Sequence, residues 1–119
     1  MINIRFGVIK DNLKLLNTIL GEVSNYGIWS VFYGEEELSD LKSLKGKIDA
    51  KYEKSLSADQ GSYTLEFTFK EGQIFKKVIV FYLTNNFKTL SRKEFETITD
   101  FILFVDDSLA FELEDKLID

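Results

Sequence analysis

The residues that could do chemistry in this 119-residue chain are carboxylates, hydroxyls and lysines, because it contains neither histidine nor cysteine. It therefore lacks the side chain that most often serves as a general base or metal ligand, and it can form no disulfide and no thiolate site. No glycine-rich phosphate loop and no nucleophile elbow are present either. Catalysis would have to use paired carboxylates, a hydroxyl with a lysine base, or a metal held by oxygen atoms.

One set of carboxylates has a spacing that suits a divalent cation. Asp100 could be joined by Asp106 or Asp107, and a spacing of seven would bring Asp100 and Asp107 to one face of a helix. A helix terminus followed by a solvated turn explains the same residues more simply. We therefore predict a protein with no catalytic residue, no cofactor and no metal, and rank a carboxylate-ligated metal hydrolase as a lower alternative.

The net charge of −5 is concentrated at the C-terminal end. Residues 106–119 contain six acids and one base, whereas residues 1–105 carry equal numbers of acids and bases. This distribution lacks the cationic footprint that nucleic-acid binding requires and favours a basic protein partner. The acids predicted to contact that partner are Glu112, Glu114 and Asp115. The acidic segment has two alternative interpretations. It could be a solvated helix face that aids solubility, or it could mimic the phosphates of a nucleic acid.

A second candidate surface is aromatic and lies directly before an acidic triplet. Tryptophan and tyrosine are common in binding hot spots, and neighbouring carboxylates would select a cationic partner. Partner contacts are therefore predicted at Trp29, Tyr33, Glu35, Glu36 and Glu37. Two other interpretations stay open. The rings could fill the core between the first helix and the sheet, or they could line a pocket near Trp29 for a small ligand.

A β-hairpin over residues 62–84 is the element that we expect at the centre of the fold. Its first arm alternates apolar and polar residues from Tyr63 to Lys70, and its second arm contains the continuous apolar run 78–83. Such a run is typical of a strand that is buried on both faces. Helices or a second subunit would have to cover both faces of this strand, so a homodimer is one possible arrangement. Glu71-Gly72 would form the turn, and loops of two or three residues leave the register open.

Another strand is predicted over residues 47–54, where apolar residues alternate with charged ones as they do at a protected sheet edge. Together with 62–70 and 73–84 it would form an antiparallel meander. The short aromatic segment 28–34 predicts either a strand or a helical turn.

Helices are predicted before the sheet. The N-terminal segment fits two patterns, which leaves helix and strand open: Ile2, Phe6 and Ile9 begin a helical stripe, while Ile2, Ile4, Phe6 and Val8 alternate like a strand. From Asp11 onward, apolar spacings of four and three predict a helix, with residues 25–27 as its end. A shorter helix is predicted over residues 35–45, with Gly46 as its end.

The C-terminal segment is predicted to be helical as well. Ser91 and Glu94 have the spacing of a capping box, and the apolar face that follows is widened by Phe104. We predict a helix to residue 105, a kink at 106–108 and a second helix to residue 117. The rival interpretation is a hairpin over residues 101–113.

Together these patterns predict a single α+β domain over residues 1–119. It would contain an antiparallel sheet of three or four strands packed by the N- and C-terminal helices. The start of the chain lacks the pattern of a signal peptide and no apolar run could span a bilayer, so we expect a cytoplasmic protein. The function predicted first is that of a small, acidic, non-enzymatic protein that binds and inhibits or neutralises a basic protein, as an immunity protein does.

Overall fold

The computed structural model describes residues 4–24, 28–57 and 61–118, without the side chains of residues 28–36 and 111–118. Most of the described chain is helical, and it contains one antiparallel sheet of two strands. In chain order the elements are β1 (Ile4–Ile9), α1 (Lys10–Ser24), α2 (Ile28–Ser57), β2 (Ser62–Phe67), α3 (Phe69–Asn86) and α4 (Arg92–Ile118).

The sheet has one buried and one exposed face, as its alternating sequence requires. Strands β1 and β2 pair so that Ile4 lies opposite Phe67 and Val8 lies opposite Tyr63. The side chains that point into the core from β1 belong to Ile4, Phe6 and Val8, while those of Arg5 and Ile9 are exposed.

Helix α3 lies at the centre of the molecule and packs against the other three helices and β2. Its Phe75 is fully buried, with ring centroids 5.8 Å from Phe6, 5.2 Å from Phe67 and 6.5 Å from Phe101. This cluster of rings joins both strands to α3 and α4. Aromatic rings bury a large apolar area each, so a phenylalanine-rich chain of this length can build a substantial core.

The prediction of a central hairpin is wrong in its second arm, which is helix α3. The run 78–83 is apolar because the helix is surrounded: Val78 and Ile79 are buried, Phe81 and Leu83 are half-buried, and 40% of Val80 is exposed. A helix in the middle of a core is apolar nearly all round, which makes its sequence look like a strand buried on both faces.

The prediction of a strand over residues 47–54 is also wrong, because these residues belong to α2. Leu41, Leu44 and Ile48 are fully buried at helical spacing, and this periodicity outweighs the local alternation. Gly46 does not end the helix. It lies on the exposed side of α2, where glycine weakens a helix without breaking it. Within the described residues, the predicted sheet of three or four strands is therefore replaced by two strands and four helices.

Several local predictions are confirmed. The first arm of the hairpin, predicted over 62–70, is a strand only as far as Phe67, because Thr68 caps α3. The N-terminal residues, which fitted both a helix and a strand, form β1, and the helix predicted from Asp11 is α1. Helix α4 begins after Ser91 as predicted, but it continues to Ile118 without the kink, and the rival hairpin over 101–113 does not form. The helix stop predicted at residues 25–27 lies outside the described residues.

Candidate functional site

Helix α4 is fixed at its start by the capping box and along its length by three buried residues. The Glu94 amide donates to Ser91 Oγ at 3.1 Å, and the Ser91 amide donates to Glu94 Oε1 at 3.2 Å. Ile98, Phe101 and Val105 then pack into the core at helical spacing. Because these residues define the inner side of α4, they also determine which residues face the solvent.

The outward side of α4 carries two large apolar residues. Leu103 is 56% exposed and Phe104 is 40% exposed. The Phe104 ring stacks on Phe6 with a centroid distance of 5.1 Å, so one ring face is supported by the sheet. Asp100 precedes Phe104 by four residues and Asp107 follows it by three, which brings both carboxylates next to the apolar pair. We refer to Asp100, Leu103, Phe104 and Asp107 as the α4 outer face.

The two aspartates of the α4 outer face are exposed and form no ion pair with any described residue. The other acids of the described part of this helix are engaged. Glu94 closes the capping box, Glu96 pairs with Arg92 at 3.1 Å, and Asp106 Oδ1 lies 2.5 Å from Lys76 Nζ on α3. By sequence, α4 contains eight acids and three bases, so its formal charge of −5 equals that of the whole chain.

The partner contacts predicted from sequence fall mostly outside the described side chains. Trp29, Tyr33, Glu35 and Glu36 lie in the first turns of α2, and Glu112, Glu114 and Asp115 lie in the last turns of α4. Their roles stay predictions.

Glu37 is the one predicted contact whose side chain is described. It forms an ion pair with Lys77 on α3 at 2.8 Å, and its second oxygen, Oε2, is buried without a hydrogen-bond partner among the described residues. This pair holds the N-terminal half of α2 against α3. Its role in partner binding also stays a prediction.

A polar cluster around Glu71, which we did not predict, connects α2 to the start of α3. Glu71 Oε1 lies 2.6 Å from Lys47 Nζ and accepts from the Thr68 amide at 2.9 Å, while Ser43 Oγ donates to Oε2 at 3.3 Å. Burial raises the pKa of the Glu71 carboxyl, but the hydrogen bonds from Lys47 and Thr68 outweigh it and lower that pKa below the ordinary value.

The Glu71 cluster could have been found from the capping-box spacing of Thr68 and Glu71, which we interpreted as a hairpin turn instead. The role of the Glu71 cluster is structural. Lys47 donates to the carboxylate and to the Glu66 carbonyl, and Ser43 donates to the same carboxylate, so the lysine does not serve the hydroxyl as a base. The cluster holds two helices together.

An open groove of about 680 Å³ follows the outer side of α3. Val80, Phe81 and Leu109 supply its apolar surface. Lys76 and Lys77 also line it, but both are engaged in the ion pairs with Asp106 and Glu37. Gln73, Thr84 and Asn85 complete the lining. The groove therefore combines an apolar surface with uncharged polar side chains.

Two further observations concern metals and membranes. Within the described ranges, no three acidic side chains lie close enough to one another to hold a metal ion. Asp106, one of the carboxylates considered as a ligand, instead forms an ion pair with Lys76. None of the helices in the described part of the chain is both long and apolar enough to cross a bilayer.

Comparison with known proteins identifies no relative. No protein-family model matches the chain, and no similar sequence among curated proteins and no similar solved structure was found. The function must therefore be argued from the site itself.

Proposed function

We propose that this protein binds a basic protein partner through the α4 outer face and neutralises that partner's activity. The observation that carries the proposal is the exposure of Leu103 and Phe104 between two carboxylates that form no ion pair with any described residue. Interfaces of this kind have an apolar centre that is removed from water and a charged rim that stays wet.

Each part of this surface has a separate physical role. Burial of the Leu103 and Phe104 side chains would supply affinity, at roughly 25 cal/mol for each Å² of apolar area removed from water. Asp100 and Asp107 would select lysine or arginine at the rim and reject acidic surfaces. The charge of α4 as a whole would accelerate the encounter with a cationic protein, and this effect weakens as salt is added. The partner is therefore expected to present an apolar pocket surrounded by basic residues.

The acids and rings predicted from sequence extend this proposal. Glu112, Glu114 and Asp115 belong to the same helix as the α4 outer face, and Trp29, Tyr33 and the triplet 35–37 belong to α2. Their support comes from composition and chain position alone, so the α4 outer face is the part to test first.

The test compares two variants with the same change in charge. Asp100→Lys/Asp107→Lys reverses the rim of the α4 outer face, and Glu22→Lys/Glu53→Lys reverses two exposed acids on α1 and α2. Wild-type protein and both variants are used to capture proteins from native lysate at low and high salt. The captured protein is identified by mass spectrometry, purified, titrated against all three and assayed for its own activity.

We expect a basic protein that is retained at low salt, released at high salt, and inhibited by the wild type and the α1/α2 variant. The α4 variant should bind it at least tenfold more weakly, since two rim contacts become repulsive. Equal binding by both variants, binding that does not depend on salt, or no captured basic protein would each contradict the proposal.

A further inference from the structure

Strand β1 has an outer edge that no other described strand covers. The sheet has two strands, so each strand has one edge that the other does not cover. Helix α2 lies along the outer edge of β2, where Lys47, Ala50, Lys51 and Lys54 line one cavity with Thr64 and Glu66. Among the described residues, nothing makes a hydrogen bond to the outer edge of β1.

One contact identifies the backbone groups that point outward from β1. The Glu66 carbonyl accepts from Lys47 Nζ at 3.4 Å, so it points toward α2 and away from β1. In an antiparallel pair, opposite residues alternate between those that exchange hydrogen bonds and those that do not. Arg5 lies opposite Glu66, so the N–H and C=O groups of Arg5 point to the free edge, and so do those of Gly7 two residues later.

Nothing in the described part of the chain requires a glycine at position 7. A side-chain methyl group there would meet no described atom closer than the Tyr63 carbonyl oxygen at 3.9 Å, and the φ of Gly7 lies outside the left-handed region. Glycine in the middle of a strand weakens the strand, and it often marks a position where another backbone approaches closely. The edge of β1 therefore has its smallest residue at its middle.

We infer that β1 pairs with β1 of a second copy of this chain, antiparallel and centred on Gly7. The two sheets then form one four-stranded antiparallel sheet in the order β2-β1-β1-β2. The partner strand is taken to be β1 of a second copy because two copies related by a two-fold axis present the same strand edge to each other. When the pair is centred on Gly7, Arg5 of one copy lies opposite Ile9 of the other.

Two other registers are less favourable. Centring the pair on Arg5 would place two arginines directly opposite each other, and like charges in that position destabilise a sheet. Centring it on Ile9 would bring the starts of both α1 helices, at Lys10, against each other. With Gly7 at the axis, each Arg5 remains next to Glu66 of its own chain, which it approaches to 3.8 Å.

The experiment uses the purified 119-residue chain alone, so its result is independent of the proposed partner. Sedimentation velocity and light scattering over a concentration series should show a mass rising from 13.8 kDa toward twice that value. Ile9→Lys and Ile9→Glu form the decisive pair. Both remove the same side chain, which is 52% exposed, but lysine repels Arg5 of the other copy whereas glutamate attracts it.

We expect the Ile9→Lys dimer to dissociate at least fivefold more readily than the Ile9→Glu dimer. Two control variants carry the same charge elsewhere, Leu56→Lys at the end of α2 and Leu103→Lys on α4, and both should dimerise as the wild type does. A mass of one chain at every concentration would overturn the inference. So would equal dissociation of the two Ile9 variants, or dissociation caused by Leu103→Lys but not by Ile9→Lys.

Discussion

At the scale of single residues, Glu71 is the side chain whose environment most limits substitution. It is 5% exposed and forms both the capping box of α3 and the ion pair with Lys47. A buried carboxylate with several hydrogen bonds is costly to disturb, because its partners lose theirs as well.

Glu71→Gln should therefore lower the free energy of unfolding at pH 7 by about 1–3 kcal/mol, because Lys47 loses its counter-charge while the amide can still cap the helix. Urea unfolding followed by circular dichroism measures this change. Glu96→Gln removes an exposed pair with Arg92 and should change stability by less than about 0.5 kcal/mol. Equal effects of the two substitutions would contradict this account.

The Glu71 prediction also has a pH dependence. Because folding lowers the pKa of Glu71, folding favours the ionised carboxylate. Its stabilisation is complete above the ordinary value of 4.5 and decreases as the pH falls below that value toward the folded pKa. The difference in stability between the wild type and Glu71→Gln should therefore shrink as the pH is lowered below 4.5. A difference that stays constant down to the acid transition would contradict the role of the charge.

At the scale of the elements, two helical glycines should respond to alanine in opposite directions. Gly46→Ala on the exposed side of α2 meets no atom within 4 Å and should raise stability by about 0.5–1 kcal/mol, the difference in helix propensity. Gly72→Ala in α3 would place its methyl group against the buried Ile4 side chain. Overpacking costs about 1–3 kcal/mol, so we expect a net loss of about 1 kcal/mol.

Thermal and urea unfolding of these two variants measure the difference directly. A stabilised Gly72→Ala would mean that Ile4 moves aside at no cost, and a destabilised Gly46→Ala would contradict the exposed position of that residue.

The elements also show what could be predicted from this sequence. Helix α1 and the start of α4 were predictable, because their patterns are local: apolar spacing after Asp11 and the Ser91–Glu94 box. The pattern before Lys10 left helix and strand open for β1, because helical spacing and alternation both fit it. Helix α3 was not, because its apolar run depends on neighbours that are distant in sequence. The capping box at Thr68 was the local signal that could have decided between helix and strand.

The candidate site was predictable only in part. The spacing of Asp100 and Asp107 on one helix face was recognised, but it was attributed to a helix terminus and a solvated turn, with a metal site as the lower alternative. Phe104 was expected to widen the buried face, yet it lies at the boundary of the core with 40% of its surface exposed. Which side of α4 faces the solvent depends on how α3 and the sheet pack against it, and a single helix sequence with apolar residues on several sides does not determine that.

At the scale of the whole molecule, stability should depend strongly on the ring cluster at Phe75. Its side chain is fully buried and contacts rings from both strands and α4. Phe75→Ala should lower the free energy of unfolding by about 3–5 kcal/mol, a large share of the total for a small domain. Phe87→Ala, at a ring that is 55% exposed after α3, serves as the control and should cost less than about 1 kcal/mol.

Calorimetry provides the measurement, and it also tests whether the domain unfolds as one unit. Because α3 contacts every other helix, we expect a single transition in both variants. A Phe75→Ala protein with two separate transitions would show that α1 and α2 form an independent unit.

The pairing of β1 with β2 has a consequence for the order in which the chain folds. All of α1 and α2 lies between the two strands in sequence, so β1 leaves the ribosome long before its pairing partner has been made. The contact between Asn17 on α1 and Asp49 on α2 spans 32 residues of sequence, whereas the β1–β2 pair closes a longer loop that contains both helices. Folding should therefore begin with the packing of α1 against α2, and β1 should join later. During synthesis, the apolar side chains of β1 stay unpaired with β2 until residues 62–67 have emerged from the ribosome. We expect the nascent chain to need a chaperone most in this period.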